Sequence, residues 1–135
     1  MIMRFPIAAI ACLLAAPAIA LPSLPNLPVQ RDICGIQVPP ARYDRAVITP
    51  KVGVDGPHYV AAKQVARQCK DSGYQEAVGC TTSILLGKTI IAYKVLIASN
   101  PPPGRYPGCT AAMWRASILK HERAHMAGWG QNHPQ

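Results

Sequence analysis

The chain has 135 residues, of which half are hydrophobic, and 14 lysines and arginines outnumber six acidic residues to give a net charge of +8. This length allows one domain with one modest core. A net positive charge favours anionic partners in general. The basic residues are scattered, however, and no run or nucleic-acid motif organises them. We therefore expect a solvated basic surface and no nucleic-acid partner.

The first 20 residues have the parts of a secretory signal peptide. One basic residue, Arg4, precedes an apolar stretch that ends in the small-x-small triplet Ala18-Ile19-Ala20. The stretch is too short for a good membrane span, although an uncleaved anchor is the alternative. We predict cleavage before Leu21 and export to the periplasm or the extracellular space. Loss of Arg4 leaves 13 basic residues against six acidic ones, a net charge of +7.

Four cysteines remain after the predicted cleavage, which removes Cys12. An even number in an exported chain predicts two disulfides, for which three connectivities are possible. We favour Cys69–Cys80 with Cys34–Cys109, because the first pair would join the end of one element to the start of the next. No two cysteines form a CxxC pair, which argues against a thiolate zinc site.

The first half of the mature chain predicts a leader, short strands and a helix. Residues 21–31 repeat proline at every third position, a polyproline-like leader outside the fold. Residues 33–38 and 46–54 are expected to be extended. Asp55-Gly56-Pro57 is typical of a helix start, and the helix should run to about Lys70. Its buried residues would be Val60, Val65, Ala66 and Cys69, and its solvated ones Lys63, Arg67 and Lys70.

The second half predicts a hairpin followed by a long helix. Residues 81–86 and 89–97 are rich in β-branched residues and flank the tight turn Gly87-Lys88. The second arm is almost continuously apolar, as in a central strand. Thr110 should cap a helix that runs to Ala127 and stops at Gly128. The fold class is therefore α+β, with an antiparallel hairpin or sheet packed on two helices in a single disulfide-stapled domain, 32–135.

The last predicted helix carries the motif HExxH at residues 121–125. His121 and His125 lie one turn apart on one face, so both imidazoles can reach one zinc ion. Glu122 points about 100° away, from where it can reach a water bound to that metal. The motif thus assigns His121 and His125 as metal ligands and Glu122 as the general base of a hydrolysis.

The residues around the motif help to decide whether His121 and His125 bind a metal or only pack in the core. Trp114 and Ile118 share the arc of His121 and His125 on a helical wheel, so an apolar face leads into the two histidines. The alternative is that the histidines only extend that face. Gly128 can turn the chain back, however, and His133 follows, which favours a third metal ligand at His133.

Residues 121–128, HERAHMAG, resemble the HExxHxxG opening of the metzincin zinc peptidases, within the broader zincin class. The resemblance implies that His121 and His125 are ligands, that Glu122 is the base and that Gly128 makes the turn to the third ligand. The chain departs from the metzincins in having Gln131 at the position of their third ligand. We also expect neither the methionine turn of the metzincins nor a further carboxylate ligand on a later helix. It looks like a minimal zincin, in which an edge strand would bind the substrate backbone.

Two functional classes follow for the cofactor Zn²⁺. The first is an exported peptidase that acts on a protein or on cell-wall peptide, and the second is a non-catalytic zinc-binding structural or interaction module. Glu122 favours hydrolysis, because a purely structural site has no evident need for it.

Other residues are further candidates for the site. His58 could be the third ligand instead of His133, or a catalytic accessory, and Trp129 could form a wall of the metal pocket. Three tyrosines could stabilise an oxyanion: Tyr74, Tyr93 and Tyr106. For each of these residues the alternative is a role in the core or on the surface.

Overall fold

The structure, a computed structural model, describes residues 28–44, 53–70 and 77–133. It is α+β as predicted, with a three-stranded mixed sheet and two helices. The elements are β1 (Gly53–Val60), α1 (Ala62–Gln68), β2 (Gly79–Leu86), β3 (Thr89–Ala98) and α2 (Ala111–Met126), with a short 3₁₀ turn at Ala41–Tyr43. The predicted signal peptide lies outside the described residues.

The predicted hairpin is confirmed as β2 and β3, which pair antiparallel around a turn at Gly87. The sheet order is β1-β3-β2, so β3 is the central strand, as its apolar sequence predicts. The end of β3, from Val95 to Ala98, is buried and forms the middle of the core. Burial of both faces explains the nearly continuous apolar run there.

The prediction of a helix start at residues 55–57 is wrong, because these residues lie inside β1. This strand runs parallel to β3, with an irregular register between Asp55 and His58. Gly56 has a φ of 115°, and a Cβ on it would lie only 2.7 Å from the carbonyl oxygen of Val95. Glycine therefore permits a close approach of two strands, and Pro57, which lacks an N–H, is accepted at an irregularity on an edge strand.

The helix itself begins at Ala62, after that strand. Val65 and Cys69 are buried and Ala66 is half-buried, broadly as predicted, whereas Val60 ends β1. The three basic residues predicted to face water, Lys63, Arg67 and Lys70, are exposed.

The predicted strand at residues 33–38 is instead part of a tight turn. Arg31 and Gln37 form an isolated antiparallel bridge, and the chain reverses between them. The Asp32 carboxylate stabilises the reversal, since its Oδ1 accepts hydrogen bonds of 2.9 and 3.0 Å from the amides of Cys34 and Ile36. Such local bonds compete with a strand ladder. The other predicted extended segment, 46–54, is described only from Gly53, which begins β1.

Helix α2 begins at the predicted cap and is fixed to the sheet by its first turns. The Thr110 hydroxyl accepts a 3.2 Å hydrogen bond from the amide of Met113. Trp114 is buried, and its indole Nε1 donates a 2.9 Å bond to the carbonyl of Ala98 at the end of β3. With Ile118 also buried, this face positions the rest of α2 against the sheet.

Two disulfides, Cys34–Cys109 and Cys69–Cys80, confirm the favoured connectivity. They fit an oxidising, exported setting. Within the described residues, no helix has the length and apolar character needed to cross a membrane.

Candidate metal centre

The C-terminal half of α2 presents His121 and His125 on one face, as the helical spacing predicts. Their ring centroids lie 5.0 Å apart with the ring planes nearly perpendicular. Both residues are partly buried, so the pair borders the protein interior without being sealed from solvent.

The chain turns back at the end of α2 through a Schellman motif. The amide of Trp129 donates to the carbonyl of Ala124 at 2.9 Å, and the amide of Gly128 donates to that of His125 at 3.0 Å. Gly128 has a φ of 98°, which a side chain would strongly disfavour. The glycine therefore makes the reversal that the sequence predicted.

His133 returns to the two helix histidines after this reversal. Its Nε2 lies 3.1 Å from Nε2 of His121 and 3.2 Å from Nε2 of His125. Its backbone φ of 52° is left-handed, which costs a non-glycine residue about 1 kcal/mol or more. A turn in which its amide donates to the carbonyl of Gly130 at 2.9 Å supports that conformation. The structure thus brings together all three predicted ligands.

Backbone carbonyls orient the two helix imidazoles. His121 Nδ1 lies 2.9 Å from the carbonyl oxygen of Gln37, and His125 Nδ1 lies 2.8 Å from that of Trp129. A carbonyl oxygen can only accept, so each Nδ1 carries the proton and each Nε2 keeps its lone pair. Metal-bound histidines use this pattern, in which the second nitrogen donates to a carbonyl or carboxylate.

The geometry of the three Nε2 atoms fits a metal ion. With Nδ1 protonated on His121 and His125, the Nε2 lone pairs of both residues face Nε2 of His133, so at most one N–H is available for two acceptors. A cation at this point could accept a lone pair from all three nitrogens. A tetrahedral ion with N–metal bonds of about 2.0–2.1 Å separates its ligand atoms by about 3.3–3.4 Å, close to the two separations observed here. The three histidines can therefore hold a metal ion.

The electrostatics of the cluster favour neutral imidazoles, the form that binds metals. Burial lowers the pKa of His121 and of His125, and the carbonyl bond of each opposes the shift in part. The pKa of His133 falls to about 4, because of burial first and then because of His121, His125 and Arg31.

Trp129 forms one side of the cluster. It is buried, and its ring stacks on that of His125 with centroids 5.2 Å apart and planes at 16°. It also contacts the rings of His121 and His133 at 5.0 and 4.8 Å. The tryptophan therefore walls the site, and its carbonyl also orients His125.

Glu122 lies beside the cluster in a buried position under β2. Its Oε2 accepts a 2.8 Å hydrogen bond from the Thr81 hydroxyl. Burial raises the pKa of this carboxyl to about 7, and the Thr81 bond opposes part of that rise. Gly79 makes room for it, since a Cβ there would lie 2.9 Å from Oε1 of Glu122 and would contact Ile118.

The histidines and Glu122 line one cleft of about 940 Å³. Residues 79–83 of the edge strand β2 line the cleft, and so do parts of the segment 31–37 and of the loop 102–106. Each disulfide fixes part of this lining, because Cys34 is joined to Cys109 beyond the loop and Cys80 is joined to Cys69 at the end of α1.

The remaining candidates from the sequence lie elsewhere or have other contacts. His58 is in β1, where its Nε2 lies 2.7 Å from Oδ1 of Asp55, and it is not part of the histidine cluster. Tyr93 packs against the core, whereas Tyr106 lines the cleft. Tyr74 lies outside the described residues. Sequence reasoning missed Thr81 and the Gln37 carbonyl, since no local pattern links them to residues 121–125.

Comparison of the chain with protein-family models, with curated proteins and with solved structures finds no match.

Proposed function

We propose that the protein is an exported zinc-dependent peptidase. The observation that carries the proposal is that Glu122 lines the same cleft as three histidines whose Nε2 atoms converge. Three protein ligands leave the fourth position of a tetrahedral zinc ion for water or substrate, as in catalytic zinc sites. The predicted signal peptide and the two disulfides support export.

The chemistry divides between the ion and the chain. When bound, zinc would act as a Lewis acid that polarises the substrate carbonyl and acidifies water. His121, His125 and His133 would hold it, with the first two kept in orientation by the carbonyls of Gln37 and Trp129. Glu122 would take a proton from the attacking water and later give it to the leaving amine. The Thr81 hydroxyl fixes the carboxylate for both transfers.

The position of β2 supports a peptide substrate. This strand is an edge of the sheet and pairs with β3 on one side. Its residues 79–83 border the cleft that contains the histidines. An extended peptide added to this edge would pass beside the metal and be held by main-chain hydrogen bonds. A protein or the peptide of a cell wall can supply such a segment.

The test compares wild-type protein with Glu122→Gln on a library of internally quenched peptides, with the zinc content measured in parallel. We expect Glu122→Gln to keep one zinc ion and to lose cleavage by at least about 100-fold. Asp55→Asn, which changes an exposed carboxylate that pairs with His58 on β1 and is not among the residues described as lining the cleft, is the control and should keep full activity.

Undiminished cleavage by Glu122→Gln would refute the assigned mechanism. A zinc-loaded wild-type protein that cleaves no peptide would instead support the second candidate, a non-catalytic module. In that case the ion would pin the C-terminal segment, as the convergence of His133 on α2 allows.

A further inference from the structure

Strand β2 continues beyond the cleft as an exposed apolar segment. Its residues 79–83 line the cleft, whereas Ile84, Leu85 and Leu86 extend the strand to the hairpin turn at Gly87. These three side chains, which we call the apolar edge, are 40%, 58% and 71% exposed. Adjacent exposed apolar side chains of this kind often mark an interaction site.

The backbone of β2 is open for pairing from the cleft to the turn. β3 lies on one side of β2, and no strand lies on the other side among the described residues. Residues 79–86 contain no charged side chain and no proline, two features that commonly protect an edge strand from pairing. The irregularity in the hairpin register places the extra residue, Ile91, on β3, so β2 itself is continuous. An extended segment can therefore pair along the whole strand.

The alternation of side chains along β2 determines what such a segment would contact. Thr81 faces α2, where its hydroxyl bonds to Glu122, and side chains two residues apart share a face of a strand. Leu85 therefore lies on the face of Glu122, and Ile84 and Leu86 lie on the opposite face. Leu85 follows Thr81 by four residues, a distance of about 13 Å along the strand.

We propose that the substrates of the cleft are extended apolar segments of proteins, which pair with β2 and place apolar side chains on its apolar edge. The inference rests on the proposed peptidase function and names its substrate class. Main-chain pairing accepts any sequence, whereas side-chain contacts give the preference. Ile90 pairs with Leu85 across the hairpin and is exposed, so it enlarges the same surface. These contacts lie about four residues from the cleaved bond and favour a protein over a cell-wall peptide.

The test uses internally quenched peptides that share one cleaved core and differ only in an extension of about four residues. One extension alternates leucine with valine and the other alternates serine with threonine, and each is placed at either end of the core. We expect kcat/KM to be about tenfold higher for the apolar extension at one of the two ends, mainly through a lower KM. The double variant Leu85→Thr/Leu86→Thr should reduce this ratio to about one. Threonine is polar but favours strands, so the hairpin should be kept.

Val54→Thr is the matched control, because Val54 is an exposed apolar residue of β1, which β3 separates from β2. It should keep the preference for the apolar extension. Zinc content and thermal unfolding of each variant show whether the fold is retained. If the double variant does not fold, Leu86→Thr replaces it, since Leu86 is the most exposed residue of the apolar edge.

Equal kcat/KM for the two extensions at both ends, or a preference that survives in Leu85→Thr/Leu86→Thr, would overturn the inference and leave the peptidase function standing. If the wild type cleaves no peptide, binding of the same peptides is compared by fluorescence anisotropy. An apolar preference that the double variant removes would then support the apolar edge as a binding site and refute the peptidase function. Equal binding would refute both.

Two other occupants of the apolar edge have their own signatures. A wild-type dimer in analytical ultracentrifugation that the double variant separates, without a peptide preference, would show that a second copy of the chain covers β2. Binding to phospholipid vesicles that the double variant loses, again without a peptide preference, would show that a lipid surface covers it. Either result would overturn the inference.

Discussion

The hydroxyl of Thr81 on β2 donates a 2.8 Å hydrogen bond to the carboxylate of Glu122 on α2, 41 residues further along the chain. The same hydroxyl lies 3.3 Å from the carbonyl oxygen of Glu122. The edge strand that borders the cleft is thus joined directly to the proposed general base. The bond therefore holds a buried carboxylate in one position next to the edge strand.

Thr81→Val should show how much the Thr81–Glu122 hydrogen bond contributes to stability. It keeps the shape of the side chain but leaves a buried carboxyl without its hydroxyl donor, so we expect a loss of about 1–3 kcal/mol in the free energy of unfolding. Urea denaturation of the oxidised protein measures it. Zinc content should stay at the wild-type level and peptide cleavage should fall. Thr81→Ser keeps the donor and should stay within about 1 kcal/mol of wild type; an equal loss in both variants would show that the hydrogen bond is not responsible.

Gly79→Ala should separate β2 from α2. A methyl group there would collide with Ile118 and lie 2.9 Å from Oε1 of Glu122, so we expect a destabilisation of about 1–3 kcal/mol and lower cleavage. Gly53→Ala is the matched control, since among the described residues its Cβ would meet the side chain of Ala92 alone, at an ordinary 3.8 Å. Thermal unfolding of both variants checks the prediction, and a harmless Gly79→Ala would contradict the close packing of strand and helix.

The two disulfides should differ in their contribution to stability. Cys34–Cys109 closes a loop with a sequence separation of 75, whereas that of Cys69–Cys80 is 11. Loop-closure entropy then predicts losses of about 4.5 and about 2.8 kcal/mol when each pair is changed to serine. Denaturant unfolding of the two double variants measures the difference. A larger loss on removing Cys69–Cys80 would mean that chain entropy does not govern their effect.

The sequence predicted correctly those elements whose ends are determined by residues close by in the chain. Thr110 and Gly128 bound α2 through a cap and a left-handed turn, and Gly87 lies in the hairpin turn between two β-branched runs. The spacing of His121 and His125 fixed their common face in the same way. The turn glycine also made the return of His133 predictable, although not its distance from the other two histidines.

The features that were predicted wrongly or missed depend on residues that are distant in the sequence. Asp55-Gly56-Pro57 is typical of a helix start, but the parallel pairing with β3 determines its structure, and Gly56 is needed because Val95 approaches it. No sequence pattern predicted the cleft either. Its edge strand and Arg31 reach the motif only through tertiary packing.

The metal content of the oxidised, signal-free protein, measured by elemental analysis beside His133→Ala, tests the central claim most directly. His121→Ala is the reference for loss of a ligand, and His58→Ala is the control, because His58 pairs with Asp55 on β1. We predict about one zinc ion per chain in the wild type and in His58→Ala. Both His133→Ala and His121→Ala should lose it to a similar extent. A folded wild-type protein without zinc, or His133→Ala with undiminished zinc, would contradict the three-histidine metal centre.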